Sequence, residues 1–170
     1  VGTIKIGYMG GKSHAPDLEA IVPALNEILK KYPGRVKLTF WGIDPPDELI
    51  PWSETAWNPP DSYEYSAFSA YFKSQSVDAA IAPLNHNKFN SCKSPIKYFE
   101  YTANAFPCVY SNLNPYSDVI VDGKNGFLAE TIEEWVSKLS RLIDNPDLRA
   151  HIVQNAQADI EENWLLSKNY

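Results

Sequence analysis

Short apolar runs alternate with stretches of helical periodicity along most of this chain, and that alternation is its tightest constraint on fold. "TIKIGYMG", "RVKLTFWG", "VDAAIAP" and "PCVYS" all have strand length. "VDAAIAP" is too apolar to be a strand with one wet face. Between the runs, "PDLEAIVPALNEILKKY" puts Leu18, Ile21, Val22, Leu25, Ile28, Leu29 and Tyr32 on one helical stripe, with Pro23 expected to bend that helix. "YSAFSAYFKSQ" and "KSPIKYFEYTANAFP" are expected to be helical. "TIEEWVSKLSRLI" opens with Thr131 and Glu134 at capping-box spacing, and Asn145 and Pro146 precede a last helix running towards Asn163. The segment from Asp44 to Ser66, rich in proline and aromatics, predicts only one short strand near Thr55–Trp57. The pattern specifies an α/β fold, a Rossmann-like doubly wound parallel sheet with helices on both faces. Such sheets bind ligands beyond the carboxyl ends of their strands, so the loops there are read for chemistry.

With 170 residues, 44% of them hydrophobic and 21% charged, the chain suits a single globular domain. Its net charge of -6 argues against broad nucleic-acid binding, so any anion site must be local. No apolar run is long enough to span a bilayer, and the opening residues do not read as a signal peptide, so a cytoplasmic location is expected. Cys92 and Cys108 lack metal-ligand spacing and are expected to stay reduced. The abrupt start within a strand-like run suggests a piece of something longer.

The loop "GGKSHAPD" follows the first apolar run. Gly10 and Gly11 allow a backbone to approach an anion, Lys12 supplies charge, and a following helix would offer free N–H groups. The spacing is neither a dinucleotide fingerprint nor a P-loop, and a tight turn that merely needs glycine is the alternative. His14 lies in the same loop, where an isolated histidine is more often a hydrogen-bonded structural residue than a base. His86 and His151 have weaker claims to a role.

The loop "PLNHNKFNSCKS" runs into the helix of "KSPIKYFEYTANAFP". Ser94 is expected to cap it and Pro95 to be its first residue. Lys93 and Lys97 then sit at the end of the helix dipole that disfavours cations, and a bound diphosphate would reverse the sign of that argument. Glu100 reads either as an ion-pair partner of Lys97, contributing a few tenths of a kcal/mol, or as a carboxylate accepting hydrogen bonds from ligand hydroxyls.

Taken in order, "IGYMGGKSHAPDLEAIVPAL", "LTFWG", "IAPL", "FNSCKSPIKYFEYTANAFPCVYSNLNPYSDVIVDGKNGFLA" and "EEWVSKLSRLIDNPDLR" resemble the C-terminal half of family-four retaining glycosyltransferases of the GT-B fold. The likeness spans nearly the whole chain. It implies a six-stranded, nucleotide-sugar-binding domain that works opposite an N-terminal acceptor domain, with the tail "NWLLSKNY" leading back towards that partner. It further implies hexosyl transfer from a UDP- or GDP-sugar with no tightly bound cofactor or metal, a place in polysaccharide biosynthesis, possible peripheral membrane association of the full-length protein, and little activity for the half alone.

By the same resemblance Glu100 matches the second glutamate of the family's paired motif, which holds the ribose, while Cys92 stands where the first, used around the transferred sugar, is expected. Asn90, Ser91 or Lys93 are candidates to replace that lost carboxylate. Gly11 and Pro16 occupy the places of a diphosphate-binding arginine and lysine, so Lys12, Lys93 and Lys97 are the candidates to supply that charge. The expected catalytic pair is therefore Glu100 and Lys93, with Gly10, Gly11, Lys12, His14, Asn90, Ser91, Ser94 and Lys97 completing the donor site. His14 with Asp17 matches a pattern recurring in a subgroup of these enzymes. Two alternatives stay open: a non-catalytic binding or scaffold domain with a degenerate site, or another GT-B-like enzyme such as a nucleotide-sugar epimerase or a phosphorylase.

Overall fold

The computed structural model describes residues 2–58 and 64–165. Residues 59–63 of the proline- and aromatic-rich segment and 166–170 of the tail lie outside the described residues. Six parallel strands form one sheet: β1 (Ile4–Met9), β2 (Val36–Trp41), β3 (Ser53–Trp57), β4 (Ala79–Ala82), β5 (Cys108–Ser111) and β6 (Phe127–Ala129). Their order is β3-β2-β1-β4-β5-β6, with every pairing parallel. The expected doubly wound sheet is thus present, and the chain reverses its direction of travel across the sheet between β1 and β4. At that switch point the crossover loops lead away to opposite faces and leave a crevice.

Strand periodicity assigns side chains to two cores. Ile4, Ile6, Tyr8, Leu38, Phe40, Ile81, Val109 and Phe127 face α1 (Ala15–Glu19), α2 (Val22–Lys31) and α5 (Ile132–Asp144). Trp41, Ala80, Ala82, Cys108 and Tyr110 face α3 (Tyr65–Phe72) and α4 (Ile96–Ala103). The last helix, α6 (Pro146–Asn163), serves both: Ile152 joins the first cluster and Ala156 the second. Both faces of the central strands are covered, which is why those strands read as continuous apolar runs rather than alternating ones.

Local details correct three expectations. Pro23 does not bend a long helix. The stripe is divided into α1 and α2, and Pro23 falls in the first turn of α2, where its missing N–H has no helical partner to lose. The glycine loop leads only into a 3-10 turn at Lys12–His14 and the five-residue α1, not into a long helix with a strong dipole. Thr131 caps α5 by accepting from Glu134 N, but the Glu134 carboxylate reaches back to the N–H of Glu130, one residue before the cap.

The sheet opens where β1 and β4 part. Their ladder pairs only Ile6 with Ala79 and Gly7 with Ala80. Beyond it, the Met9 N–H donates to the Tyr101 hydroxyl at 3.0 Å, and that hydroxyl donates to the Ile81 carbonyl at 3.1 Å. Tyr101 belongs to α4 and is fully buried. Tyr101→Phe keeps the ring but orphans two buried backbone groups, so it should cost about 2–3 kcal/mol of unfolding free energy. Urea denaturation monitored by tryptophan fluorescence checks this, and a change below about 0.5 kcal/mol would show that the bridge is dispensable.

Candidate functional site

Two hollows meet over the crevice at the carboxyl ends of β1 and β4, and His14 and Lys97 border both. The larger, about 400 Å³, is walled by Met9, Gly10, Gly11, Trp41, Trp57, Tyr65, Phe68 and Glu100. The smaller, about 290 Å³, is lined by Leu84, Lys93, Ser94, Ile96 and Tyr116. One half is therefore aromatic with a carboxylate at its rim, and the other carries the lysines.

The floor is set by glycine. Gly10 N donates to the Trp41 carbonyl, and Gly42, at φ +79°, lies so close that a Cβ there would come within 2.5 Å of Gly10 O. Only glycine accepts both the left-handed backbone and this approach. The first loop is thereby pinned to the end of β2, which presents Gly10 and Gly11 to the cleft.

Lys97 is the least usual group here. Its side chain is only 8% exposed, has no hydrogen bond or ion pair among the described residues, and lies with Nζ 5.8 Å from the Tyr8 ring centre. Burial pushes its pKa down, the nearby Glu100 carboxylate opposes that shift, and Lys93 reinforces it. Lys93 is half-buried, with Nζ 4.9 Å from the ring of Phe89. Two cations thus face the small hollow, and among the described residues no carboxylate is paired to either.

Glu100 does not pair with Lys97. Its carboxylate accepts a hydrogen bond from Tyr65 at 2.5 Å, a contact between residues 35 positions apart. That bond, aided by partial burial, pushes the Tyr65 phenol up to about 12. A hydroxyl already occupies the carboxylate, so the position is shown to suit an O–H donor.

The other expected residues are placed as follows. His14 Nδ1 donates to Asp17 Oδ2 at 3.0 Å, and Asp17 also accepts from Asn85 N and Asn90 Nδ2. Asn90 is buried, and its amide is spent on Asp17 and the Asn85 carbonyl, so its amide donors are not turned to a ligand. Ser91 is exposed and donates to the Lys88 carbonyl, and Cys92 is exposed with a free thiol. Ser94 lines the small hollow but does not cap α4, whose cap position falls on Pro95. Lys12 is exposed and borders a separate hollow among Glu19, Asp44, Asp47 and Glu48, away from the cleft. Trp41, Trp57, Tyr65 and Phe68 complete the site without having been singled out from the sequence. The concentration of aromatics between residues 52 and 72 was the signal available for three of them.

This fold is that of a Rossmann-like domain, and its crevice lies at the topological switch point, where such sheets bind ligands. Residues 19–169 match the family described as glycosyl transferase-like, and the chain belongs to that family. A comparison with curated proteins by sequence gave no match. Among solved structures, a TarM variant from S. aureus in complex with fondaparinux, α-GlcNAc-glycerol and UDP is similar, with a TM-score of 0.71 and 17% identity. The match covers 98% of this chain and 34% of that one, so this chain spans about a third of TarM's length. The C-terminal domain of LpcC from Francisella tularensis aligns with a TM-score of 0.68 and 17% identity, over 97% of this chain and 88% of that one. HepE from Anabaena, in complex with UDP-glucose, aligns with a TM-score of 0.67 and 14% identity, over 98% and 46%. At these identities the likeness speaks to the fold, which is that of GT-B C-terminal domains.

Glu100→Gln removes the charge that holds the Tyr65 proton. In an absorbance titration of the phenols, one group should move from about 12 back towards 10 while the deeply buried tyrosines stay high. An unchanged titration would mean that the Tyr65–Glu100 bond does not form in solution.

Proposed function

We propose that this chain is the donor-binding half of a retaining glycosyltransferase that moves a hexosyl group from a UDP- or GDP-sugar to a glycan, lipid or protein acceptor. The observation that carries the reading is the cleft itself: a buried, unpaired Lys97 beside Lys93, one helical turn from a carboxylate already engaged with a hydroxyl. A buried ammonium without a counter-ion is costly, and an anionic ligand is the partner that balances it. Glu100 then accepts from the ribose hydroxyls, displacing Tyr65, and the aromatic wall of Trp57, Tyr65 and Phe68 flanks the nucleoside.

During transfer, the bond between the sugar and the diphosphate breaks and negative charge collects on the leaving phosphate. Lys93 and Lys97, already placed at the small hollow, stabilise that charge. The relatives crystallised with UDP and UDP-glucose support the donor class. The acceptor would be held by a separate N-terminal domain, and transfer by this half alone would be slight. A cytoplasmic setting, a place in polysaccharide biosynthesis and peripheral membrane association of the full-length protein complete the proposal. A non-catalytic sugar-nucleotide-binding domain is the second reading, favoured by Cys92 at the place of the first glutamate.

Calorimetric titration with UDP, GDP, UDP-glucose and GDP-mannose tests the proposal, and no saturable binding up to millimolar concentrations would sink it. Glu100→Ala should weaken the preferred ligand about tenfold or more, the scale of hydrogen bonds to a charged group. Lys97→Met should weaken it similarly while leaving stability unchanged or raising it by about 1 kcal/mol, because a buried unpaired charge is removed. A Lys97→Met protein that binds normally would take Lys97 out of the site.

A further inference from the structure

A cradle of lysines does not account for the pair formed by His14 and Asp17. Asp17 is 5% exposed, and both of its oxygens are engaged: Oδ1 accepts from Asn85 N at 2.8 Å and Asn90 Nδ2 at 2.9 Å, while Oδ2 lies 3.0 Å from His14 Nδ1. An ionised carboxylate only accepts, so the arrangement puts the proton of neutral His14 on Nδ1 and leaves Nε2 as a bare lone pair. Nε2 has no protein partner among the described residues, and the ring borders both hollows beside Lys93 and Lys97. A structural histidine needs no such support: two asparagines from the loop after β4 hold an aspartate from α1, which in turn holds the ring at the cleft.

In the free chain a second proton on His14 is opposed. Burial lowers its pKa first, the charge of Lys97 adds to that, the hydrogen bond to Asp17 works against it, and Lys93 lowers it further. The remaining ionisable groups lining the two hollows are Glu100, Tyr65, whose phenol is raised by its bond to that carboxylate, and Tyr116, while the Tyr8 ring lies against Lys97; of these, Tyr8 and Tyr116 carry the deeply placed phenols. Burial pushes both phenols far up, so they stay neutral near pH 7. A diphosphate entering the cleft reverses this balance, since it offsets both lysine charges and accepts only from donors.

We propose that His14 is a proton-taking contact for the donor's diphosphate: Nε2 binds a proton as the ligand enters and donates it in a hydrogen bond to a phosphate oxygen. Asp17 steadies the imidazolium through Nδ1, and Asn85 and Asn90 are positioning residues that hold Asp17. This rests on the donor-binding reading above and adds to it a coupling between affinity and pH. The sign follows from linkage: a group whose pKa rises on binding favours the complex at pH values below its bound-state pKa, and that advantage fades as pH climbs through it.

The test is calorimetric binding of UDP-glucose and GDP-mannose from pH 6 to 8, each in two buffers of different ionisation enthalpy. The diphosphate of a nucleotide sugar is a diester with constant charge over that range, so any proton uptake belongs to the protein. We expect uptake of up to about one proton and a Kd about fivefold or more weaker at pH 8 than at pH 6. His14→Gln, checked for folding by thermal melting, should bind at every pH about as the native chain does at pH 8. Asp17→Asn should move the slope to lower pH. Binding without proton uptake, or a slope that survives in His14→Gln, overturns this inference and leaves the donor-binding reading standing. The absence of saturable binding by either nucleotide sugar overturns both.

Discussion

The hydroxyl of Tyr101 does what the sheet cannot do for itself at its switch point. A doubly wound sheet must let β1 and β4 part if a ligand crevice is to form, and parting strands strip backbone groups of their ladder partners in the most buried part of the molecule. Tyr101 supplies both missing partners, Met9 N and Ile81 O, from one atom. Because that atom belongs to α4, the same contact fixes the helix that carries Lys97 one turn earlier and Glu100 immediately before it. Opening the sheet and placing the candidate ligand groups are thus a single structural event.

The consequence is a division of labour along eight residues. Tyr98 and Tyr101 point into the core, with Tyr98 donating to Asp159 of α6 and tying the far side of the helix down. Lys97 is drawn into the apolar surroundings by its neighbours, and Glu100 stays at the rim. A helix anchored this firmly can hold an ammonium in a place that water alone would not stabilise. On the proposed reading, stability and ligand binding then pull in opposite directions at Lys97, whereas at Tyr101 they pull together.

The fold was legible because it is written in short-range pattern. "VDAAIAP" announces a strand covered on both faces, and the stripe of Leu25, Ile28 and Leu29 announces the helix that covers one of them. Pro23 was misjudged because proline disrupts a helix interior yet suits its first turn, and periodicity alone does not say where the first turn lies. Ser94 looked like a cap for the same reason: boundaries depend on local backbone geometry that residue type only biases. In the site, Lys97 and Glu100 could be singled out because they are charges on an apolar helix. The Tyr65 contact to Glu100, the convergence of Asn85 and Asn90 on Asp17, and the Tyr101 bridge join positions 35, 68, 73 and 92 apart, and no local pattern encodes them. Tyr101 in particular reads as one more apolar member of its stripe.

The two ends of the cleft are unequally furnished, and this bears on what a donor would be recognised by. On the proposed reading, the nucleoside meets an aromatic wall and a carboxylate, and the diphosphate meets two lysines and a supported histidine. The stretch from Asn90 to Cys92, where the resemblance places contacts to the transferred sugar, offers far less. The Asn90 amide is turned inward to Asp17, Ser91 donates to its own loop, and Cys92 replaces a charged acceptor with a weakly polar thiol. Discrimination among sugars depends on buried polar groups that are left unpaired by the wrong substrate. On the proposed reading, a site with few such groups binds through the nucleotide and selects weakly at the sugar.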